Sequence, residues 1–349
     1  MLERLLIVGL GSIGIRHARI ARQLIPSLQI VALRHNKGSA DTEFHVDHQF
    51  DSMNDVMSFG PQAAIVANPA SMHVDIAMRL ADAGIHLLIE KPISNSPRRV
   101  QDLIDLCRDR NVVLMTGYNL RFSRSLRRFR ECVHKGLAGN ILSVRAEIGQ
   151  YLPSWRPNVD YRKSVSAREE LGGGVLLELS HEIDYLRWIF GEVDWVSATL
   201  KRQSSLEIDV EDSAFLTLGF AGGTETAPGV ASLNMDFIRH DTVRTCTAIG
   251  DKGTLRWNAL TGVIDMFARD GAAWNVLSTD PDQRDDTYLA EWRHFLACME
   301  NHEMPLVSGE DGLAVMRVVQ AARESSVYRK VVQIAPATYV GECTKVGVT

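Results

Sequence analysis

Cysteine is scarce and poorly placed for crosslinking. The five in this 349-residue chain, Cys107, Cys132, Cys246, Cys298 and Cys343, are odd in number, far apart and never in a CxxC pair. That excludes a disulfide framework or a zinc knuckle and points to a reducing, cytoplasmic setting. Long apolar runs are also missing. The longest near the start covers residues 5–10, well short of the roughly 20 residues a membrane span needs. No small-residue cleavage site follows it, so no signal peptide is expected. Positive charge is not in excess: 38 Lys and Arg face 43 Asp and Glu, a net charge of −5. A nucleic-acid binder working through a global positive field is disfavoured. There is no GxSxG nucleophile elbow and no Walker lysine loop. His45 and His48 flank Asp47 in a strand-like stretch where side chains alternate and cannot all converge, so no metal is expected. What remains is an ordinary globular composition, 45% hydrophobic and 23% charged, able to bury a large core. At roughly 150 residues per domain, the length suggests two domains.

Residues 1–120 alternate short apolar strands (5–8, 29–33, 63–67, 86–89, 112–115) with amphipathic helical stretches (12–24, 71–83). A further helix is expected to open at Ser96-Pro97, with Ser96 as N-cap and Pro97 at the first helical position. Its apolar Val100, Leu103, Ile104 and Cys107 recur at three and four residues. Continuous apolar strands between helices predict a doubly wound parallel sheet covered on both faces. Past residue 120 the rhythm changes. A basic helix over 121–135 leads into long alternating stretches at 141–151, 195–203, 213–220, 229–237 and 244–249, and helical patterns over 287–300 and 309–328 close the chain. The prediction is an α/β chain: a parallel-sheet domain over 1–120, then a second α/β domain over 121–335 with a large, open, mostly antiparallel sheet. Residues 336–349 read as a loosely held tail.

Gly9-Leu10-Gly11-Ser12-Ile13-Gly14 is a GxGxxG between a predicted strand and a predicted helix, the context that makes the motif informative. Gly9 permits the tight turn, Gly11 lets backbone approach a pyrophosphate, and Gly14 lets helix and strand pack closely. The helix N-terminus, with Ser12 and Ile13, offers free N–H groups to phosphate. An NAD site places an acidic residue about 20 positions on. Here the second strand ends in Arg34-His35-Asn36-Lys37, with no carboxylate before Asp41. A guanidinium suits a 2′-phosphate, so Arg34, with His35 next in register, favours NADP(H) while leaving NAD(H) possible.

Three segments then stand at successive predicted strand ends: Ala67-Asn68-Pro69-Ala70-Ser71-Met72-His73, Glu90-Lys91-Pro92 and Gly117-Tyr118-Asn119-Leu120-Arg121-Phe122. Gly172-Gly173-Gly174 leads into Glu178, His181 and Asp184 and on to Trp188-Ile189-Phe190-Gly191. Together these resemble the Gfo/Idh/MocA family of NAD(P)-dependent oxidoreductases over roughly residues 3–330. The resemblance implies a Rossmann domain, a C-terminal α/β domain with a large open sheet, and homodimers or homotetramers built through that sheet. It also implies that Lys91 is catalytic and that the histidine at the helix start, His181, exchanges the proton of the reacting hydroxyl. The family's usual acid is an Asp four residues before its histidine. Here Glu178 precedes His181 by three, so Glu178 or Glu182 is the candidate partner.

The residues support the same chemistry. A lysine at the C-terminal edge of a parallel sheet stands where such folds bind ligands, and its ammonium can stabilise developing oxyanion character. A histidine's pKa of about 6.5 suits a base near neutral pH. Asn68, Pro69, His73, Glu90, Lys91 and Asn119 join the glycine loop as expected cofactor contacts. Arg121, Trp155, Tyr161 and Arg162, with Lys91 and His181, are expected around a sugar. Arg121, Arg124, Arg127, Arg128 and Arg130 read as a solvated helix face or, alternatively, a diphosphate site. The predicted function is hydride transfer between nicotinamide and a carbinol or ketone carbon of a sugar, sugar acid or nucleotide sugar. The alternatives are a non-catalytic dinucleotide-binding regulator, a reductase of a non-sugar carbonyl or imine, and net hydrolysis or epimerisation with recycled cofactor.

Overall fold

A computed structural model describes residues 2–34, 45–156, 159–222 and 226–335. His35, Lys37, Asp41 and the tail 336–349 lie outside the described residues.

The first sheet contains β1 (Arg4–Val8), β2 (Gln29–Leu33), β3 (His48–Phe50), β4 (Ala63–Val66), β5 (His86–Glu90) and β6 (Leu114–Gly117). All six run parallel in the order β3-β2-β1-β4-β5-β6. Four residues in each of β1, β2, β4 and β5 are buried, which is why these strands are continuous apolar runs. Helices α1 (Ser12–Leu24), α2 (Met53–Phe59), α3 (His73–Asp82) and α4 (Val100–Asp109) accompany them. The strand order reverses between β1 and β4, and the crevice at their C-terminal ends is where a doubly wound sheet takes a ligand. α4 opens later than predicted. The Ser96 hydroxyl accepts from the N–H of Arg98, closing a local turn, and the helix starts only after Arg99 at φ 61°. β3 takes up the end of the strand-like stretch at 45–48, whereas the seven-residue α2 was not anticipated, being too short to show a period.

A 3-10 turn over Asn119–Phe122 leads into α5 (Arg124–His134), three residues beyond the predicted start because Ser123 is the cap, accepting from the N–H of Leu126. The second sheet has nine strands: β7 (Ile141–Gly149), β8 (Val193–Lys201), β9 (Ser213–Phe220), β10 (Val230–Asp236), β11 (Val243–Gly250), β12 (Gly253–Asn258), β13 (Val263–Ala268), β14 (Asn275–Thr279) and β15 (Val332–Gln333). Their order is β14-β13-β12-β11-β7-β10-β9-β8-β15, antiparallel throughout except for β7 beside β10. Between β7 and β8 lie α6 (Val175–Glu178) and α7 (His181–Phe190); α8 (Asp286–Asn301) and α9 (Gly309–Tyr328) follow β14. α5, α6 and α9 pack on one face of this sheet. There Val144, Ala146 and Ile148 of β7 and Leu233 and Met235 of β10 are buried. The alternate residues, Arg145, Glu147, Ser232 and Asn234, form the other, wetter face.

The end of the chain returns to the first sheet. The N–H of Thr116 on β6 donates to the carbonyl of Val307 at 2.9 Å, and the indole of Trp292 on α8 donates to His17 on α1 at 2.8 Å. The floor of the cleft is therefore built from both ends of the sequence. Cys107, Cys132, Cys246 and Cys298 are free and buried. Burial pushes the Cys107 thiol up to about 12 and that of Cys298 to about 11, so neither is a reactive thiolate. Among the described residues no helix is long and apolar enough to cross a membrane.

Candidate active site

A cleft of about 690 Å³ opens at the β1/β4 switch point and extends to the second sheet. Gly9 follows β1 at φ 87°, and a Cβ there would lie 2.9 Å from Asn68 Cα on the neighbouring loop. A Cβ on Gly14 would sit 1.9 Å from the Gly9 carbonyl oxygen, so only glycine lets α1 approach β1 this closely. Around Gly11, by contrast, nothing lies within 4 Å: its open side faces the cleft. Gly11 caps α1 without a side-chain hydrogen bond, and Ser12 and Ile13 of the first turn line the cleft, where their N–H groups and the helix dipole favour an anion. Asn68 presents both amide atoms, Oδ1 and Nδ2, buried and without a partner among the described residues. Leaving such a group unpaired is costly, so a ligand that bonds it gains affinity. These features fit a dinucleotide. Arg34 stands at the C-terminal edge of β2 and does not line the cleft.

Lys91 follows β5 across a cis bond to Pro92. Its Nζ donates to the backbone carbonyl of Glu178 at 2.6 Å and lies 3.9 Å from that residue's carboxylate. Glu90 points the other way. Its Oε1 is 2.7 Å from His17 Nε2, while the Trp292 indole, which can only donate, occupies His17 Nδ1. With Nδ1 accepting from the indole, Nε2 carries the ring proton and donates it to Glu90. Burial alone would raise the Glu90 carboxyl, but the His17 bond and the Lys91 charge hold it below its usual range. Glu291 on α8 is fully buried with neither oxygen partnered among the described residues; burial, then the Glu90 charge, push its pKa well up and favour its protonated form. His17, Glu90 and Glu291 bring one ligand-type atom each within 4.8 Å of one another. With Nδ1 taken and a proton on Nε2, however, the imidazole has no lone pair to give a metal.

His181 is the first residue of α7 and lines the same cleft, its ring edge-on to Tyr118 at 5.5 Å. Its Nδ1 is buried without a partner among the described residues. Burial, then the positive charges of Lys91 and Arg244, hold its pKa well below the ordinary 6.5, so the ring is neutral at neutral pH. Neither candidate carboxylate bonds it. Glu178 stands beside Lys91, and Glu182, fully buried, accepts from Arg244 Nε at 2.7 Å. The expectation that one of them orients the histidine is corrected: each is committed to a cation.

The structure separates the other expected residues. Asn119, His73 and Trp155 line the cleft. Asn119 donates to Thr287 Oγ1, and the His73 ring nitrogens lie 2.8 Å and 3.0 Å from the carbonyl oxygens of Asn68 and Pro92, tying the two loops together. Arg121 does not reach the cleft. It is buried and donates twice to Asp184 and once each to Asp311 and the Leu306 carbonyl, so all three of its nitrogens are bonded away from the cleft. Arg162 is half exposed and bonded to Asp160 and Glu207, and the Tyr161 hydroxyl accepts from the Glu207 N–H; both lie outside the cleft. The basic helix is not a single solvated face either. Arg127 and Arg130 donate to the carbonyls of Arg121 and Trp188, Arg124 pairs with Asp280, and none of the five arginines lines the cleft.

Comparison with known proteins agrees with this construction. Residues 4–118 match the oxidoreductase family's NAD-binding Rossmann fold, and residues 130–334 match its C-terminal alpha/beta domain. The chain belongs to the Gfo/Idh/MocA oxidoreductase family. Among its curated relatives, myo-inositol 2-dehydrogenase of Thermotoga maritima is 26% identical, covering 95% of this chain and 98% of that one. A D-xylose 1-dehydrogenase (NADP(+)) of Haloferax volcanii is 25% identical over 92% and 96%. Levoglucosan dehydrogenase in complex with NADH superposes with a TM-score of 0.83 at 21% identity over 95% of this chain and 99% of that one. The WlbA dehydrogenase of Bordetella pertussis, in complex with NADH and UDP-GlcNAcA, gives 0.79 at 20% identity over 96% and 99%.

In this Gfo/Idh/MocA chain, sequence reasoning missed His17, Glu291, Trp292, Tyr288 and Arg244. Arg244 carried a readable signal: it stands on the face of β11 shared by buried Cys246 and Ala248, where a charged residue needs a reason. His17, on the apolar stripe of α1 with Ile20 and Ala21, carried a weaker one. The α8 residues gave none, because their role depends on docking across 275 residues of chain.

Proposed function

We propose that the protein transfers hydride between a nicotinamide dinucleotide and a carbinol or ketone carbon of a sugar, sugar acid or nucleotide sugar. The observation that carries this is that Lys91 and a buried His181 line one cleft, with an uncapped helix N-terminus and an Asn68 amide unpartnered among the described residues. A bound nicotinamide supplies or takes up the hydride. Lys91 donates a hydrogen bond to the oxygen of the reacting carbon and stabilises negative charge there. His181, neutral because it is buried between two cations, accepts the hydroxyl proton on oxidation and returns it on reduction. Glu178 orients Lys91 through the bond to its carbonyl. Trp155 supplies an aromatic wall, its indole nitrogen fixed by the Gln150 carbonyl. The relatives named above, an inositol dehydrogenase and a xylose dehydrogenase, support a polyhydroxylated substrate.

Arg34 at the end of β2 favours NADP(H), with NAD(H) as the alternative. The wetter face of the second sheet is where another copy would dock as a homodimer or homotetramer, and the free, buried thiols fit a reducing cytoplasm. Titration with NADPH and NADH, on the natural chain and Arg34→Ala, tests the cofactor. The expected result is tighter NADPH binding that weakens in the variant. Turnover of a sugar panel with Lys91→Ala as control tests the chemistry. Binding of neither dinucleotide by cofactor-free protein would overturn the reading.

A further inference from the structure

Arg244 is the unexplained charge of the cleft. Its position on β11 pairs with Ile148 of β7, and it shares its strand face with Cys246 and Ala248, both fully buried. An arginine on a core face must find a counter-charge or reach solvent. Arg244 does part of each. Nε donates to Glu182, whose carboxylate is wholly buried at the start of α7, and the side chain keeps 21% of its surface, at the cleft. Among the described residues, Nη1 and Nη2 take no partner. Glu182 itself is half satisfied, with Oε1 on Arg244 and Oε2 buried and unpartnered. The Nε contact therefore fixes the guanidinium plane and leaves its far edge to the cleft. Next to Glu182 in sequence is His181, which feels the charges of both Lys91 and Arg244. Ile148 on β7, Gln150 just after it and Thr242 just before β11 also line the cleft.

We propose that Arg244, held in plane by Glu182, receives a carboxylate of the substrate, so that the sugar oxidised or reduced here is a sugar acid. This rests on the hydride-transfer reading and narrows its substrate class. Two parallel N–H groups on one edge match the two oxygens of a carboxylate, the arrangement that makes guanidinium–carboxylate recognition both strong and planar. Lys91 has a different task in the hydride-transfer reading, the oxygen of the reacting carbon, and its ammonium already lies 3.9 Å from the Glu178 carboxylate, which would repel a second one. A neutral sugar would leave the Nη edge desolvated and unmatched, which penalises it relative to its acid.

The test is calorimetric titration of the NADPH- or NADH-saturated protein with hexuronates, the parent hexoses and the hexose 6-phosphates. The chains compared are the natural one, Arg244→Gln, and the double variant Glu182→Gln/Arg244→Gln, which removes the charge that the single change would leave buried and unpaired. The hexuronate is expected to bind about ten- to a hundred-fold more tightly than its hexose, as a charged hydrogen bond predicts. That ratio collapses in both variants, while dinucleotide binding reports an intact fold. Arg156→Gln, at the exposed rim of the same cleft, leaves the ratio in place. A hexuronate no tighter than its hexose, a preference that survives the double variant or moves with Arg156, or a stronger preference for the phosphate overturns the proposal. Loss of dinucleotide binding by the natural chain fails the hydride-transfer reading itself and is seen before any sugar is added.

Discussion

Arg121→Met separates two meanings of a buried arginine. In the structure Arg121 gives Nε and Nη2 to Asp184, Nη2 also to Asp311, and Nη1 to the Leu306 carbonyl, with 4% of its side chain exposed and 1% of Asp184's. It joins the turn after β6 to α7 and to the start of α9, where Asp311 also closes the capping box on Ser308. Burial already pushes the Asp184 carboxyl up against the pull of Arg121, so removing the guanidinium leaves a charge with little compensation. Breaking a buried pair from one side costs about 3–5 kcal/mol. At about 2–4 °C per kcal/mol for domains of this size, the melting temperature falls on the order of 10 °C. Replacing both members, Arg121→Met with Asp184→Leu, removes the stranded charge and recovers much of the loss. The assay is thermal unfolding followed by nucleotide titration and steady-state kinetics well below the transition. Dinucleotide affinity and kcat/KM of the folded fraction hold within about twofold, because the side chain never enters the cleft. If Tm held while kcat/KM fell a hundredfold, Arg121 would be a substrate ligand and the assignment of its bonds to structure would be wrong.

Lys91→Ala is expected to lower kcat by about 10²–10³, the usual cost of one oxyanion donor, with dinucleotide affinity changed only a few-fold; pre-steady-state hydride transfer measures it. Because His181 titrates well below 6.5, the acid limb of kcat/KM for oxidation lies below that value, and Arg244→Gln, by removing a repelling cation, moves it upward. The same shift makes the unfolded chain bind more protons than the folded one below pH 6.5, so stability falls as pH drops through that window; denaturant midpoints between pH 7 and 5 read it. Glu291, raised well above 4.5, has the opposite sign: folded protein loses stability as pH rises from 4.5 towards its folded value, so Glu291→Gln gains on the natural chain at high pH and matches it near pH 5. Gly14→Ala places a methyl 1.9 Å from the Gly9 carbonyl, so α1 must shift; destabilisation of about 1–3 kcal/mol and weakened dinucleotide binding are expected in thermal and fluorescence titrations.

What could be read in the residues differs by the range of the physics involved. The parallel sheet and the glycine turn depend on near neighbours: a Cβ at Gly14 would strike the Gly9 carbonyl five positions away, and β1, β2, β4 and β5 carry apolar runs of three or four residues because both faces are covered. β12, β13 and β14 escaped notice. They are five or six residues long at one edge of the sheet, and β14 is almost wholly exposed, so no alternation of apolar and polar residues marks it. The stretch 161–162 shows the limit from the other side. Tyrosine and arginine are the right types for a sugar site, yet local carboxylates at Asp160 and Glu207 take the arginine, and no composition argument detects that.

The two arginines that meet α7 make the point in its strongest form. Arg121 and Arg244 each face a buried acid of that helix, Asp184 and Glu182, at sequence separations of 63 and 62. Both pairs join an arginine to a fully buried acid at nearly equal separation. The difference lies in how the remaining donors are spent. Three further bonds close Arg121 into the junction of the two sheets, whereas Arg244 makes one bond and turns its other edge to the cleft beside His181. A guanidinium whose three nitrogens are all bonded to protein away from the cleft is a fastener; one with both terminal nitrogens unbonded at the wall of a polar cleft is completed by a ligand. Sequence supplies the arginines, and only the accounting of their donors in three dimensions separates the two roles.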